Sequence, residues 1–314
     1  MAWDVVWRAL SASLMDLNFL YYTMGLVSVG GLAFATLALQ RAHRLDPASP
    51  WARHVGRMRG ALPAVVVLSL TTLAAGLQGG FERAVQAWHG LDFTPLVWAI
   101  EGDLVQRFQD AARTPALDYF FVTVYTVGAF LFYFVPFFIL VALGRAHNAM
   151  RIAATMAIIW GVGILFYFFV PVNEVWMTAQ APYHYTHVEN VLFEHVPSAR
   201  TSEAYALATN NNFPSLHVAL SCGIAAALWF GGERWLAIPG TFIAAGVTVA
   251  TMYLGIHWAV DVVAGLALAL GAAWLAHRRN PREERVGAPA WLHPRGAWSV
   301  TGSGEKEPPI RPLE

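Results

Sequence analysis

Seven runs of mostly apolar residues dominate the sequence, each near the length of about 20 residues that an α-helix needs to cross a bilayer. They cover roughly residues 18–39, 60–79, 117–142, 152–172, 214–231, 236–254 and 257–277. Only 13% of the 314 residues are charged, whereas soluble domains carry about 25%. The sequence therefore predicts an all-α, polytopic transmembrane helix bundle of about seven spans.

Arginine placement predicts how these spans are oriented, because basic residues concentrate in cytoplasmic loops. The basic segments are 40–59, 143–151, 232–235 and the start of the 278–314 tail. With seven spans all four lie on one side, which we expect to be the cytoplasm of a cell-membrane protein. The long loop 173–213 and the segment 80–116 then lie on the non-cytoplasmic face. Two amphipathic stretches, 81–88 and 104–112, are expected along the membrane interface, and the Pro-, Arg- and Glu-rich tail is predicted to be disordered.

Charge and cysteine content exclude several classes of function. The net charge is zero, so no basic field favours nucleic acid as a partner. A single cysteine, Cys222, excludes an intramolecular disulfide and a multi-cysteine zinc site.

The stretch NNNFPSLHVALS, residues 210–221, places polar residues at the mouth of an apolar segment. Proline suits the first position of a helix, so we expect the fifth span to begin at about Pro214, with caps from the asparagine-rich loop. The N–H groups of Ser215, Leu216 and His217 would then be unpaired at the positive end of the helix dipole, which predicts an anion site. A capped helix with an interfacial histidine is the alternative.

Two further segments bring polar residues to the same predicted face. In YLGIHWAVDVVAGL, residues 253–266, His257 and Asp261 are four apart and share one face of the seventh span. An aspartate within a span is normally paired, and His257 is the nearest partner; a neutral structural pair is the alternative. In FYFFVPVNEVW, residues 166–176, Pro171 ends the fourth span before Asn173 and Glu174.

Together these segments supply the components of metal-free phosphoryl transfer. One histidine can attack phosphorus, with its tautomer fixed by the aspartate, and the other can protonate the leaving oxygen. Backbone N–H groups at a helix start can hold the charged oxygens. The sequence therefore predicts a site that needs no metal and no cofactor.

The stretches FPSLHVALS and YLGIHWAVDVVAGL resemble the second and third signatures of the type 2 phosphatidic acid phosphatase superfamily. Those signatures are Pro-Ser-Gly-His and Ser-Arg-x5-His-x3-Asp. The Pro-Ser-Leu-His variant, the Tyr-Leu before the second histidine and the aromatic run ending in Val-Pro-x-x-x-x-Trp look closer to one branch. That branch includes inositol phosphorylceramide synthase and its prokaryotic relatives.

The resemblance covers roughly residues 115–277 and implies an integral membrane lipid phosphotransferase or phosphatase with a six-helix core. Residues 1–114 would then form N-terminal spans and an interfacial segment, including one extra span. The resemblance further implies that His257 is the nucleophile forming a phosphohistidine, oriented by Asp261, and that His217 is the acid for the leaving group. The expected phosphate- and substrate-binding residues are Ser215, Leu216, Asn212, Asn173 and Arg200.

The chain departs from the family pattern in its cations. The only lysine is Lys306 in the tail, so the first signature, Lys-x6-Arg-Pro, is absent, and Ala250 and Thr251 replace the serine and arginine of the third. Weaker clamping of phosphate favours a singly charged phosphodiester, or transfer of a phosphoryl headgroup between lipids, over a phosphomonoester. Arg200 is the remaining candidate cation, or an ordinary solvated arginine; His184, His187 and His195 share its loop as possible metal or headgroup ligands, or as plain surface histidines.

Two other functions stay open at this point. A catalytically silent relative could bind or transport lipid on the same scaffold, or His217 and His257 could ligate a haem or a metal. Haem-ligating histidines normally face each other near mid-membrane, whereas these two occupy span mouths. Hydrolysis and transfer both remain open, as do the lipid, the acceptor and the oligomeric state.

Overall fold

The computed structural model describes residues 56–196, 199 and 210–279, and within these ranges the chain is helical without β-strands. This confirms the predicted all-α class. The main helices are α1 (Leu62–His89), α2 (Thr94–Glu101), α3 (Leu104–Ala112), α4 (Pro115–Ala142), α5 (Ala146–Phe169), α6 (Val191–His195), α7 (Leu216–Gly231), α8 (Arg234–Tyr253) and α9 (Ala259–Arg279). The predicted span 18–39, Arg200 and the tail from residue 280 lie outside the described residues.

Four of the helices, α4, α5, α8 and α9, are long and apolar enough to cross a membrane. They correspond to the predicted spans 117–142, 152–172, 236–254 and 257–277. Helix α1 bends by 50° between Leu62–Gly76 and Phe81–His89, so a fifth crossing would use this bent pair. Helix α7 has 16 residues and is therefore about 24 Å long, which is shorter than the roughly 30 Å hydrocarbon core.

The short helix α7 is packed between α5, α8 and α9. Small residues permit this close packing, as is usual between membrane helices. A Cβ added to Gly265 of α9 would lie 2.6 Å from the carbonyl oxygen of Ser215, and one added to Gly223 would lie 2.6 Å from Cδ1 of Ile159. These approaches fix the depth and rotation of α7 relative to its neighbours.

A buried polar cluster closes one end of the bundle around Glu233. Arg145 donates to Glu233 Oε2, and Trp235 Nε1 donates to the same oxygen at 3.0 Å. Asn148 Nδ2 donates to Glu233 Oε1 at 2.7 Å. These bonds join the start of α5 to the turn between α7 and α8.

The opposite end is covered by α2, α3 and the segment after α5. The stretch predicted to lie at the interface over 104–112 forms α3, and the stretch 81–88 forms the second arm of α1. Gln109 of α3 donates from Nε2 to the backbone oxygens of Glu189 and Tyr253, both at 3.0 Å. The loop predicted to lack periodicity contains a 3-10 turn, Val175–Ala179, and the single turn of α6. These bonds hold the layer against the ends of the long helices.

Candidate active site

Four helix ends meet at this face: α5 and α8 end here, and α7 and α9 begin here. Backbone hydrogen bonds tie the adjoining segments together. Val172 N–H donates to Asn210 O at 3.0 Å, and Ser215 N–H donates to Asp261 O at 3.1 Å. The three polar segments noted in the sequence are therefore brought to one face.

The two histidines lie side by side at the centre of this face. The ring centroids of His217 and His257 are 6.1 Å apart, with an interplanar angle of 58°. Reacting atoms in a near-attack geometry are about 3–3.5 Å apart, so a ring spacing of this size is of the order needed for both histidines to act on one phosphoryl group. His257 is 4% exposed and Asp261 is fully buried, and this burial keeps bulk water from competing for the reacting atoms.

Asp261 is the centre of the hydrogen bonding around His257. Its Oδ2 accepts from Asn212 Nδ2 at 2.8 Å and from the Trp258 N–H at 2.9 Å. His257 Nδ1 lies 3.5 Å from the same oxygen, beyond a normal hydrogen bond, and has no hydrogen-bond partner within the described ranges. Catalytic hydrogen bonds are often long without substrate and tighten in the complex. The expected pairing is thus present as a close contact.

The start of α7 differs from the sequence-based expectation. The helix begins at Leu216, and its cap is Ser215, whose hydroxyl accepts from the Val218 N–H at 3.4 Å. Pro214 precedes the cap, so its predicted place at the first helical position is wrong. The loop asparagines do not supply the cap, because a serine directly before the helix reaches the third N–H.

This cap reduces the predicted anion site from three backbone donors to two. The Ser215 N–H is taken by Asp261 O, whereas the N–H groups of Leu216 and His217 have no acceptor in the described part of the chain. The Leu216 side chain packs onto α5, where a Cβ added to Gly163 would lie 2.5 Å from its Cδ2. Leu216 therefore offers its backbone N–H alone.

The two predicted substrate-binding asparagines are engaged in the scaffold. Asn212 Nδ2 donates to Ile256 O at 3.0 Å in addition to Asp261. Asn173 Nδ2 donates to Thr94 Oγ1 at 3.1 Å and to the Tyr183 hydroxyl at 2.8 Å. These bonds position the loops on either side of the histidines.

The remaining sequence candidates lie near the site or in the outer loop. Glu174 is buried and accepts from Trp176 Nε1. His195 Nε2 lies 3.9 Å from Asp118 Oδ2, and His187 pairs with Asp110 at the surface. No group of three or more His, Cys, Asp or Glu side chains is arranged to hold a metal ion in residues 56–196 and 210–279.

The sequence did not reveal Tyr125, which contacts His217. The Tyr125 hydroxyl lies 3.2 Å from His217 Nδ1, and the two rings are stacked at 4.4 Å and 30°. Tyr125 belongs to a π-helical turn, Val124–Gly128, within α4. Such turns are frequent at functional sites, yet in an aromatic-rich span no sequence signal distinguishes this tyrosine from its neighbours.

Glu101 is a second contributor that the sequence did not indicate. Its Oε2 accepts from the Val260 N–H at 2.9 Å, so it caps the helix that carries Asp261. Burial raises the pKa of Glu101, while hydrogen bonds from the Ala259 and Val260 backbone oppose this shift. An acidic residue in an amphipathic segment would ordinarily be assigned to solvent.

Comparison with known proteins decides the family. A family model described as the PAP2 superfamily matches residues 98–275, more than half of the chain. The chain belongs to the PAP2 superfamily. The match begins within α2, ends within α9 and includes His217, His257 and Asp261. Comparisons with curated proteins and with solved structures returned no match.

Membership in the PAP2 superfamily supports a membrane enzyme acting on lipid phosphates, as a phosphatase or a phosphotransferase. The apolar helices likewise support an integral membrane protein that meets a lipid substrate in the bilayer.

Proposed function

We propose that this PAP2 superfamily member transfers a phosphoryl group of a membrane lipid through a phosphohistidine at His257. The observation that carries the proposal is that the ring of His217, at the start of α7, and the ring of His257, just before α9, have centroids 6.1 Å apart. Asp261 lies beside the second histidine.

The reaction follows from the two ring positions. With Nδ1 of His257 facing Asp261, Nε2 is the nitrogen left to attack phosphorus. The N–P bond forms as the bond to the leaving oxygen breaks, and His217 gives its proton to that oxygen. In the second half, His217 takes a proton from water or an alcohol, whose oxygen attacks phosphorus and releases His257. The N–H groups of Leu216 and His217 stabilise charge on the phosphoryl oxygens.

The charge of the site favours a phosphodiester and headgroup transfer. None of the arginines in the described ranges forms a hydrogen bond or ion pair with His217, His257 or Asp261, and the sequence has no lysine before Lys306. Two N–H groups with no arginine or lysine beside them suit one negative charge better than the nearly two of a phosphomonoester. We therefore favour headgroup transfer of the kind catalysed by the inositol phosphorylceramide synthase branch, with Arg200 as a candidate additional cation.

Arginine placement supports a prediction of the side of the membrane on which the reaction takes place. The site lies at the end of the bundle opposite the Arg145–Glu233 cluster, so the positive-inside rule assigns it to the non-cytoplasmic face. A catalytically silent lipid-binding protein is the competing function.

Turnover of labelled lipids tests the proposal. Purified protein in liposomes is offered phosphatidic acid, phosphatidylinositol and polyprenyl phosphate, with phosphate release and headgroup transfer to an alcohol measured separately. We expect turnover and an acid-labile phosphoprotein in the wild type, and neither in His257→Ala. His187→Ala, an exposed histidine of the outer layer, is the matched control. Equal activity in His257→Ala would eliminate the phosphohistidine, and absence of turnover on every lipid would favour the silent relative.

A further inference from the structure

His217, the proposed acid–base histidine, contacts Tyr125, which belongs to α4. The proposed nucleophile, His257, lies elsewhere, just before α9. Tyr125 is 9% exposed and lies in the π-helical turn of α4, facing the start of α7. A buried tyrosine hydroxyl normally forms a hydrogen bond, and here it lies 3.2 Å from His217 Nδ1. The stacked rings, 4.4 Å apart, restrict rotation of the imidazole.

This contact determines which nitrogen of His217 is free for chemistry. With Nδ1 bound to Tyr125, Nε2 is the remaining ring nitrogen, and it forms no hydrogen bond with the described residues. The contact therefore fixes the orientation of the ring. A phenol hydroxyl can accept from Nδ1–H or donate to a bare Nδ1, and only acceptance leaves Nε2 able to lose and regain a proton while Nδ1 stays protonated.

The two histidines differ in the charge of their partners. His257 lies beside a carboxylate, which favours a more nucleophilic ring, whereas His217 lies beside a neutral phenol. A neutral partner stabilises the imidazolium less than a carboxylate does, so His217 releases its proton more readily. Partners of different charge are a common means of separating acid and nucleophile roles.

We propose that Tyr125 is the positioning residue of His217, which rests on the proposed function of that histidine. The Tyr125 oxygen accepts a hydrogen bond from Nδ1–H in both halves of the reaction. The Nε2 proton passes to the leaving oxygen while the P–O bond breaks, and Nε2 later takes the proton of the incoming water or alcohol. Tyr125 keeps its own proton and stays out of contact with the substrate.

The test exploits the leaving group, because an acid is needed only when the leaving oxygen is strongly basic. Wild type and Tyr125→Phe are compared on two substrates that contain the same phosphoryl group and differ in the leaving group. One releases diacylglycerol and the other releases p-nitrophenol. Phenylalanine keeps the stacked ring and removes the hydroxyl. Because kcat/KM reports only the first half of the reaction, in which the leaving oxygen departs, it is the quantity compared. We expect kcat/KM on the diacylglyceryl ester to fall by about 10- to 100-fold, a substantial part of what general acid catalysis supplies. On the p-nitrophenyl ester kcat/KM should fall less than about threefold.

Tyr133→Phe is the matched control, because the Tyr133 hydroxyl donates to the backbone oxygen of His217 at 3.4 Å and leaves the ring untouched. Any loss in that variant should be the same for both esters. Equal losses of Tyr125→Phe on both esters, or no loss on either, would overturn the inference.

A second measurement separates this inference from the proposed function. In protein labelled with 15N-histidine, the His217 signals should show Nδ1 protonated in the wild type and a mixture of tautomers in Tyr125→Phe. Unchanged signals would overturn the role of Tyr125 even if His257 is phosphorylated. A shifted tautomer without phosphorylation of His257 would instead contradict the proposed reaction.

Discussion

Replacing Gly265 by alanine should separate the two halves of the site without altering any of its reactive groups. Gly265 lies one turn after Asp261 on α9, and its added Cβ would be 2.6 Å from Ser215 O. Ordinary contact begins at 3.4 Å. That carbonyl also accepts from the Ala219 N–H, so it cannot turn away without breaking α7.

The size of the effect follows from the required displacement. The helices must move apart by about 0.8 Å, and since a 1 Å misplacement costs about 100-fold in rate, we expect kcat to fall by roughly 10- to 100-fold. Overpacking of this kind also lowers stability by about 1–3 kcal/mol. The movement stretches the bond from Ser215 N–H to Asp261 O, which joins the start of α7 to α9.

The assay is turnover of the best lipid in liposomes, with thermal unfolding measured on the same preparations. Gly271→Ala is the matched control, because it makes the same change on the same helix, where the added Cβ meets no described atom within 4 Å. That variant should keep wild-type kcat and gain slightly in stability. A Gly265→Ala protein with the kcat and the unfolding temperature of the control would refute the claim that this helix contact sets the geometry of the site.

Three further variants test individual contacts. Asn212→Asp places a second carboxylate beside Asp261 and removes the donor that now bonds to it, so kcat should fall by about 100-fold or more while the protein remains folded by circular dichroism. Leu216→Ala should lower the free energy of unfolding by about 2–5 kcal/mol through the cavity left against Gly163. Its KM should be unchanged, since only the backbone N–H of this residue is proposed to contact the substrate phosphate. A raised KM would contradict this. Burial raises the pKa of Glu101 above its ordinary 4.5, so the stability it contributes is present below that pH and is lost as pH rises through the folded value. The wild type should therefore lose unfolding temperature relative to Glu101→Gln as pH rises from 4.5, and a constant difference between the two would count against the shift.

The identity of the candidate site residues could be proposed from the sequence, but part of their placement could not. His257 lies two residues before α9, which begins at Ala259, so the prediction that His257 and Asp261 share one face of a helix is wrong. Asp261 still comes within 3.5 Å of His257, because its Oδ2 also accepts from the N–H of the neighbouring Trp258. His217 follows a helix start that serine and proline mark in the sequence, although the cap is Ser215 and not the asparagine loop. The four long membrane spans could likewise be predicted from the sequence, because segment length and hydrophobicity determine them.

The contacts between distant segments were not predictable by the same rules. Asn212 and Asn173 are adjacent to the reactive groups in the sequence motifs, yet their amides bond to backbone and side chains of other segments. Tyr125 and Glu101 lie about 90 and 160 residues before the groups they contact. Such pairings depend on how helices pack, and a single sequence carries no periodic signal for them.

The position of the histidines at helix ends, instead of mid-bundle, has a consequence for the membrane itself. With the proposed reaction at one end of the bundle, lipids would enter from one leaflet and products would return to the same leaflet. Each turnover would therefore alter the composition of that leaflet alone, and a substrate made in the other leaflet would have to be flipped across before it could react. The rate in cells would then depend on lipid translocation as well as on the chemistry at His257.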